Sequence, residues 1–176
     1  PGKACLVRHS DDRGQTWSRC RHIPGWGRTG EIVLHRAANG HLLAACRTNL
    51  ERFVAGKIDH WSGLGVSRSE DNGLTWSRMD YLYAWGRHMS SLVTMPNGHI
   101  VLTYVVRKGY PPDANGLARF GIEAVVSRDH GKTWNMANRY VLDRWSANSQ
   151  GSLYYLWAPQ GSSTVLLPGN SLLTAY

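Results

Sequence analysis

An eight-residue pattern, Ser-x-Asp-x-Gly-x-Thr-Trp, occurs three times: SDDRGQTW at Ser10–Trp17, SEDNGLTW at Ser69–Trp76 and SRDHGKTW at Ser127–Trp134. Its aspartates, Asp12, Asp71 and Asp129, stand 71 − 12 = 59 and 129 − 71 = 58 residues apart. A regular step of this size marks a repeat architecture and constrains every other reading of the chain. Two further markers keep the same step. Asn39-Gly40 and Asn97-Gly98 are 98 − 40 = 58 apart, and WGR recurs at Trp26–Arg28 and Trp85–Arg87, 85 − 26 = 59 apart. Trp145 follows 60 residues after Trp85, with Ser-Ala in place of Gly-Arg.

Between these markers each unit reads as four short strands. In the first complete unit EIVLH (31–35) is an inner strand, Asn39-Gly40 a hairpin turn and HLLAAC (41–46) the return. Asn-Gly tolerates the positive φ of tight hairpins. GLGVSRS (63–69) leads into the repeated motif, and TWSRM (75–79) opens the outer strand. The next unit repeats the order with SLVTM (91–95), HIVLTYVV (99–106) and GIEAVVS (121–127). The expected division is the end of a blade at 1–20, full blades at 26–82 and 85–142, and the start of a blade at 145–176, where TVLLPGNSLLTAY matches the inner hairpin. Four-stranded units at this period fit the blades of a β-propeller. The fold class is all-β: two full four-stranded blades plus two half blades, a fragment of a larger ring. With 19 glycines and 8 tryptophans the chain favours tight turns and aromatic packing over helices.

The motif is intelligible as a corner between the third and fourth strands. Asp12, Asp71 and Asp129 accept backbone N–H groups within the turn. Gly14, Gly73 and Gly131 supply positive φ without a steric penalty. Trp17, Trp76 and Trp134 then enter the next strand and bury a ring between sheets. Every blade needs the corner, so these residues read as structural and not catalytic.

This pattern resembles the Asp-box, or BNR repeat, of the sialidase (neuraminidase) superfamily, and the resemblance covers nearly the whole chain. It implies a six-bladed β-propeller and, as the family's best-known activity, exo-sialidase hydrolysis of terminal sialic acid. The same repeat occurs in non-catalytic propellers, so it identifies fold and not chemistry.

The strand order separates two ends. The Asn-Gly turns and the repeated corners lie at the bottom. The top carries Trp26, Arg28, Arg47, Trp85, Arg87, His88, Arg107 and Trp145, and its loops add Glu51, Arg52, Asp59, His60, Lys108, Tyr110 and Asp113. Glu123, early in a third strand, lies near them. Scaffold loops are where binding residues concentrate, and arginine is the natural fork for a carboxylate. Sialidases hold the substrate carboxylate with an arginine cluster, protonate the leaving group with a loop Asp and attack through a Tyr assisted by a Glu. By resemblance, LLAACR assigns a carboxylate-binding role to Arg47. Arg87 and Arg107 are expected beside it. The family's Arg-Ile-Pro stretch is missing from TGEIVLH, and Arg28 or Arg87 can substitute. The loop after Arg47 would supply the acid, Asp59, with Glu51 as rival. Glu123 and Tyr110 are local candidates that the family pattern does not place.

A net charge of +8 calls for anionic partners. No lysine-rich run or nucleic-acid motif accompanies it, so an anionic glycan is expected and nucleic acid is not. No apolar run is long enough to span a membrane. Cys5, Cys20 and Cys46 are either three thiols or one disulfide and a thiol. No Cys/His spacing suggests a metal, and no cofactor is implied. The expected function is a sialidase-like glycoside hydrolase acting on terminal acidic sugars of glycans. The alternative is a non-catalytic propeller binding glycan or protein through its basic top. A glycan substrate suits a secreted or periplasmic protein.

Overall fold

The computed structural model describes residues 5–49, 61–148 and 157–176. Strands β1 (Leu6–Val7) and β2 (Arg21–His22) form a two-stranded sheet. A four-stranded sheet follows in chain order: β3 (Thr29–Arg36), β4 (Leu42–Thr48), β5 (Gly63–Ser69) and β6 (Asp80–Tyr83). A second consists of β7 (Arg87–Thr94), β8 (Ile100–Val106), β9 (Ala118–Ser127) and β10 (Tyr140–Ala147). β11 (Ser163–Leu166) and β12 (Leu172–Ala175) make a last hairpin. All pairings are antiparallel between consecutive strands. Among the described residues no helix is long and apolar enough to cross a membrane.

The middle strands are covered on both faces and are accordingly apolar almost throughout. Leu43, Ala45, Leu64 and Val66 of the first large sheet pack with Leu102, Tyr104, Val106 and Val125 of the second. A separate cluster joins Ile23, Trp26, Ala44, Cys46 and Met79 on the opposite face of the first sheet. β7 packs on β3, β4 and β5, and β11 packs on β7. Polar stitches cross these contacts: His35 Nε2 lies 2.6 Å from Thr94 Oγ1, and Thr103 Oγ1 lies 2.8 Å from Thr164 Oγ1. The Arg21 guanidinium, at the edge of the first hairpin, donates to the carbonyls of Gly73 and Leu74 in the next corner.

The three corners are built alike. In the second, Asp71 Oδ1 accepts from Thr75 N at 2.8 Å and from Ser69 Oγ at 2.8 Å, while Ser69 Oγ accepts from Gly73 N at 2.8 Å. Asp12 and Asp129 have the same partners in their own copies. The glycines have φ of 87°, 85° and 84°, and the residues before them, Arg13, Asn72 and His130, are also left-handed at 61°, 57° and 59°. The corner thus imposes positive φ on two consecutive residues, and its side-chain hydrogen bonds offset the steric cost at the non-glycine position.

Several sequence expectations shift. Residues 75–79 are not strand: they close the corner, with Ser77 N donating to Arg68 O at 2.7 Å, so the outer strand starts only at Asp80. β2 lies beyond residue 20, and β10 runs through 142 to Ala147, so the unit limits expected there fall inside strands or short of them. Trp145 therefore belongs to an outer strand opposite Phe120 and does not open the next unit. Trp76 and Trp134 pack against the two cores, but Trp17 is 59% exposed. In the Asn-Gly turns only Gly40 and Gly98 have positive φ; Asn39 and Asn97 instead cap the turn through Oδ1, accepting from the N–H of His41 and His99. Among the described residues all three cysteines, Cys5, Cys20 and Cys46, are free thiols.

Candidate functional site

The top of the first large sheet is shaped by a bulge. Pairing of β3 with β4 slips between Gly30 and Val33, which turns Glu31 into a left-handed conformation, φ 46°. Its carboxylate meets the guanidinium of Arg47 near the end of β4, with Oε1 2.8 Å from Nη1. The second oxygen faces Nδ1 of His88, 3.7 Å away across the sheet-to-sheet contact. His88 is fully buried, and neither ring nitrogen has a hydrogen-bond partner. The Arg47 guanidinium also lies against Gly30, where a Cβ would stand 3.7 Å from Nη2. Arg47 and Glu31 both keep part of their side chains in solvent.

The second constellation lies between the two large sheets. Glu123, only 1% exposed, stands on β9 opposite Tyr104 of β8. Its Oε1 accepts from Tyr110 Oη at 2.8 Å, and its Oε2 lies 3.7 Å from Arg87 Nε. Arg87 is fixed further by donating Nη1 to the Lys108 carbonyl at 3.0 Å and by lying 4.8 Å from the Tyr83 ring. The Tyr83 and Tyr104 hydroxyls meet at 2.7 Å. Gly121 makes room for Tyr110: a Cβ there would approach its Cε2 within 3.0 Å and its Oη within 3.2 Å. Burial pushes the Tyr110 hydroxyl pKa well up, and donation to Glu123 raises it further, while the guanidiniums of Arg87 and Arg144 pull in the other direction. Tyr104 is raised for the same first reason, burial, with Tyr83 and then the Glu123 carboxylate adding to it.

The expected arginine group divides three ways. Arg47 is held by Glu31. Arg87 turns inward to Glu123. Arg107 is buried against the segment before β11, donating Nε to the Pro159 carbonyl at 3.0 Å and contacting Gln160 and the Met89 sulfur. Arg28 is exposed, with left-handed φ, and its carbonyl accepts from Asn49 N. Arg47, Arg87 and Arg107 are thus each engaged by a different acceptor of their own chain, two carboxylates and one backbone carbonyl. Asp113 forms a turn, accepting from the N–H groups of Asn115 and Leu117. Asp59, Glu51, Arg52 and His60 lie outside the described residues. Among the described residues no three His, Cys, Asp or Glu side chains gather as metal ligands would.

Glu31, Tyr83 and Tyr104 join these constellations without having been singled out in the sequence. Tyr83 and Tyr104 carry no local signal. Glu31 has one: the repeat step places Met89 at the equivalent position, 89 − 31 = 58, and a carboxylate there is the anomaly.

The family model described as "BNR repeat-like domain" matches residues 2–150. No curated protein matches the chain. Among solved structures, the Hadza microbial sialidase Hz136 is 20% identical with a TM-score of 0.53, over 74% of this chain and 30% of that one. NanB sialidase from Streptococcus pneumoniae is 18% identical with a TM-score of 0.57, over 96% and 25%. An α-L-arabinanase from Penicillium chrysogenum, complexed with arabinobiose, is 18% identical with a TM-score of 0.59, over 97% and 48%. At these identities the likeness establishes the fold, an all-β stretch of the propeller type. The chain spans under half the length of each of these structures.

Proposed function

This chain belongs to the BNR repeat-like domain family, and from that premise we propose that it is part of a sialidase-like glycoside hydrolase acting on terminal acidic sugars of glycans. One observation carries the reading: a half-buried tyrosine, Tyr110, donates its hydroxyl at 2.8 Å to a buried carboxylate, Glu123. A tyrosine is a poor nucleophile while protonated and needs a base within reach. In the proposed step Tyr110 Oη adds to the anomeric carbon as its proton passes to Glu123, and the glycosidic bond breaks. The departing oxygen takes its proton from a loop acid, for which Asp59 is the candidate and Glu51 the rival. Water then cleaves the tyrosyl–sugar bond, giving its proton to the loop carboxylate left by the first step, and Glu123 returns its own proton to Tyr110. Arg87 steadies Glu123. The substrate carboxylate falls to Arg47 and Arg28, the two cluster arginines that keep solvent exposure. Tyrosine-based retaining hydrolysis is a known departure from the two-carboxylate scheme.

A second reading, a propeller that binds glycan or protein without cleaving it, is favoured by the same environment. Burial raises the Tyr110 pKa, which opposes loss of its proton.

The deciding experiment uses the protein at its natural length. Release of sialic acid from a fluorogenic sialoside is followed for the parent and for Tyr110→Phe, Arg47→Ala and Asp59→Asn. Loss of turnover of a hundredfold or more in Tyr110→Phe, with the fold retained, supports the assignment. Full turnover in Tyr110→Phe removes Tyr110 as nucleophile. A folded parent with no turnover rejects this substrate in favour of the binding propeller.

A further inference from the structure

Trp26 and Trp85 occupy the same place in the repeat, yet the fold uses them differently. Trp26 is fully buried and meets Trp76 edge to face at 4.7 Å, inside a core cluster. Trp85 is 36% exposed and belongs to none of the core clusters among the described residues. Its ring partner is Trp61, with centroids 5.1 Å apart and planes at 49°. The packing task that accounts for Trp26 therefore does not account for Trp85.

Two features make this pair a built surface. Lys108 Nζ lies 5.8 Å from the centre of the Trp61 ring, within the range of a cation–π contact. The backbone beneath is clamped: the Gly86 carbonyl accepts from Arg107 N at 2.9 Å and from Lys108 N at 3.3 Å. Gly86 has φ 76°, and a Cβ on it would come within 2.7 Å of the Lys108 carbonyl, so only glycine permits the approach. That same carbonyl accepts from Arg87, whose guanidinium faces Glu123. Trp85 and Lys108 are thus linked through one short stretch of chain to the Tyr110–Glu123 constellation, and Trp61 joins them through its ring contacts. An exposed aromatic face beside a cation, held in place before any ligand arrives, offers apolar contact to the C–H face of a pyranose and charge to an anionic substituent.

We propose that Trp61, Trp85 and Lys108 form a sugar-stacking subsite of the top face that takes a pyranose unit of an anionic glycan, next to the sugar that is cleaved. The word "next" rests on the hydrolase reading; the stacking itself does not.

Two readouts separate these. The first is equilibrium binding of sialyllactose and of lactose to the natural-length protein by calorimetry. Trp85→Ala is expected to weaken sialyllactose binding about tenfold, and Trp85→Phe to restore much of it. Trp85→Ala is expected to weaken lactose as well, because the galactose that stacks is the unit both sugars share. The second is the ratio of kcat/KM for sialyllactose over methyl sialoside, which is expected to fall about tenfold in Trp85→Ala. Unchanged sialyllactose affinity in Trp85→Ala overturns the subsite. If neither sialoside is hydrolysed but the binding losses appear, the hydrolase reading fails and the subsite stands. If hydrolysis occurs with an unchanged ratio, the subsite is not beside the cleaved sugar.

Discussion

Glu31 and Met89 hold the same place in consecutive sheets, each with left-handed backbone, φ 46° and 49°, in the bulge of an inner strand. Each also meets the arginine at the end of the adjacent strand. Glu31 Oε1 lies 2.8 Å from Arg47, and the Met89 sulfur lies 3.4 Å from Arg107. The bulge recurs with an arginine beside it, although Arg107 stands just past β8 and Val105 holds the place that matches Arg47 in register; the carboxylate does not recur. The fold therefore accepts an uncharged side chain here.

Replacing the acid by its counterpart tests this directly. Because the Glu31–Arg47 pair is partly exposed, Glu31→Met is expected to change unfolding free energy by no more than about 1 kcal/mol. Chemical denaturation measures it. A loss of several kcal/mol would mean that the carboxylate is a structural requirement of this sheet.

Glu123 is a different case, because its partner is buried. Glu123→Gln leaves the Arg87 guanidinium, only 8% exposed, without a counter-charge. Removing one member of a buried pair costs about 3–5 kcal/mol. The double variant Arg87→Met/Glu123→Gln should recover part of that loss. Equal stability of the single and double variants in urea titration would contradict the coupling.

The repeated corners set an acid limit. The Thr16 and Thr75 hydroxyls, followed by the backbone N–H of the same residues, hold Asp12 and Asp71 down to about 2. Asp129 also falls to about 2, its burial working the other way but outweighed by Thr133 and Ser127. A carboxylate depressed in the folded state contributes stability that is fully present above its unfolded value, about 3.9, and is lost as pH falls toward the folded one. Melting temperature should thus drop between about pH 4 and pH 2, and the drop should be shallower in Asp71→Asn. A parallel curve in that variant would remove Asp71 from the account.

Gly63 tests the close approach of β5 and β6. A Cβ there would meet the Tyr83 carbonyl and come within 2.7 Å of the Ala84 carbonyl and the Thr48 hydroxyl. Because two of these are backbone, Gly63→Ala is expected to destabilise by about 1–3 kcal/mol. Hydrogen exchange should show faster opening at 80–83 than elsewhere in the sheet.

The thiols should differ in reactivity. Burial, with a smaller contribution from Cys5, pushes the Cys46 thiol up to about 12, whereas Cys20 is exposed. A thiol reagent at pH 8 is expected to modify Cys20 in the native protein and Cys46 only after unfolding. Mass spectrometry of digested samples distinguishes the sites.

The sequence by itself determined the repeat, the four-stranded unit and the corner. Each rests on groups two to four residues apart: Ser69 with Asp71 and Gly73, Asp71 with Thr75, Asn39 with His41. Interactions of that range are written into spacing, so the period and the turns were legible. The top face was legible as a place, but not as a set of contacts. In sequence Arg47 and Arg107 read alike, at the ends of matching strands, and Arg87 reads like Arg28, after a repeated tryptophan. Only the tertiary structure sends Arg47, Arg87 and Arg107 to Glu31, Glu123 and Pro159, because those acceptors lie 16 to 52 residues away along the chain (47 − 31 = 16, 159 − 107 = 52). Trp26 and Trp85 are likewise interchangeable by period. One is buried and the other exposed because packing depends on what the neighbouring sheet presents, and the repeat does not specify that.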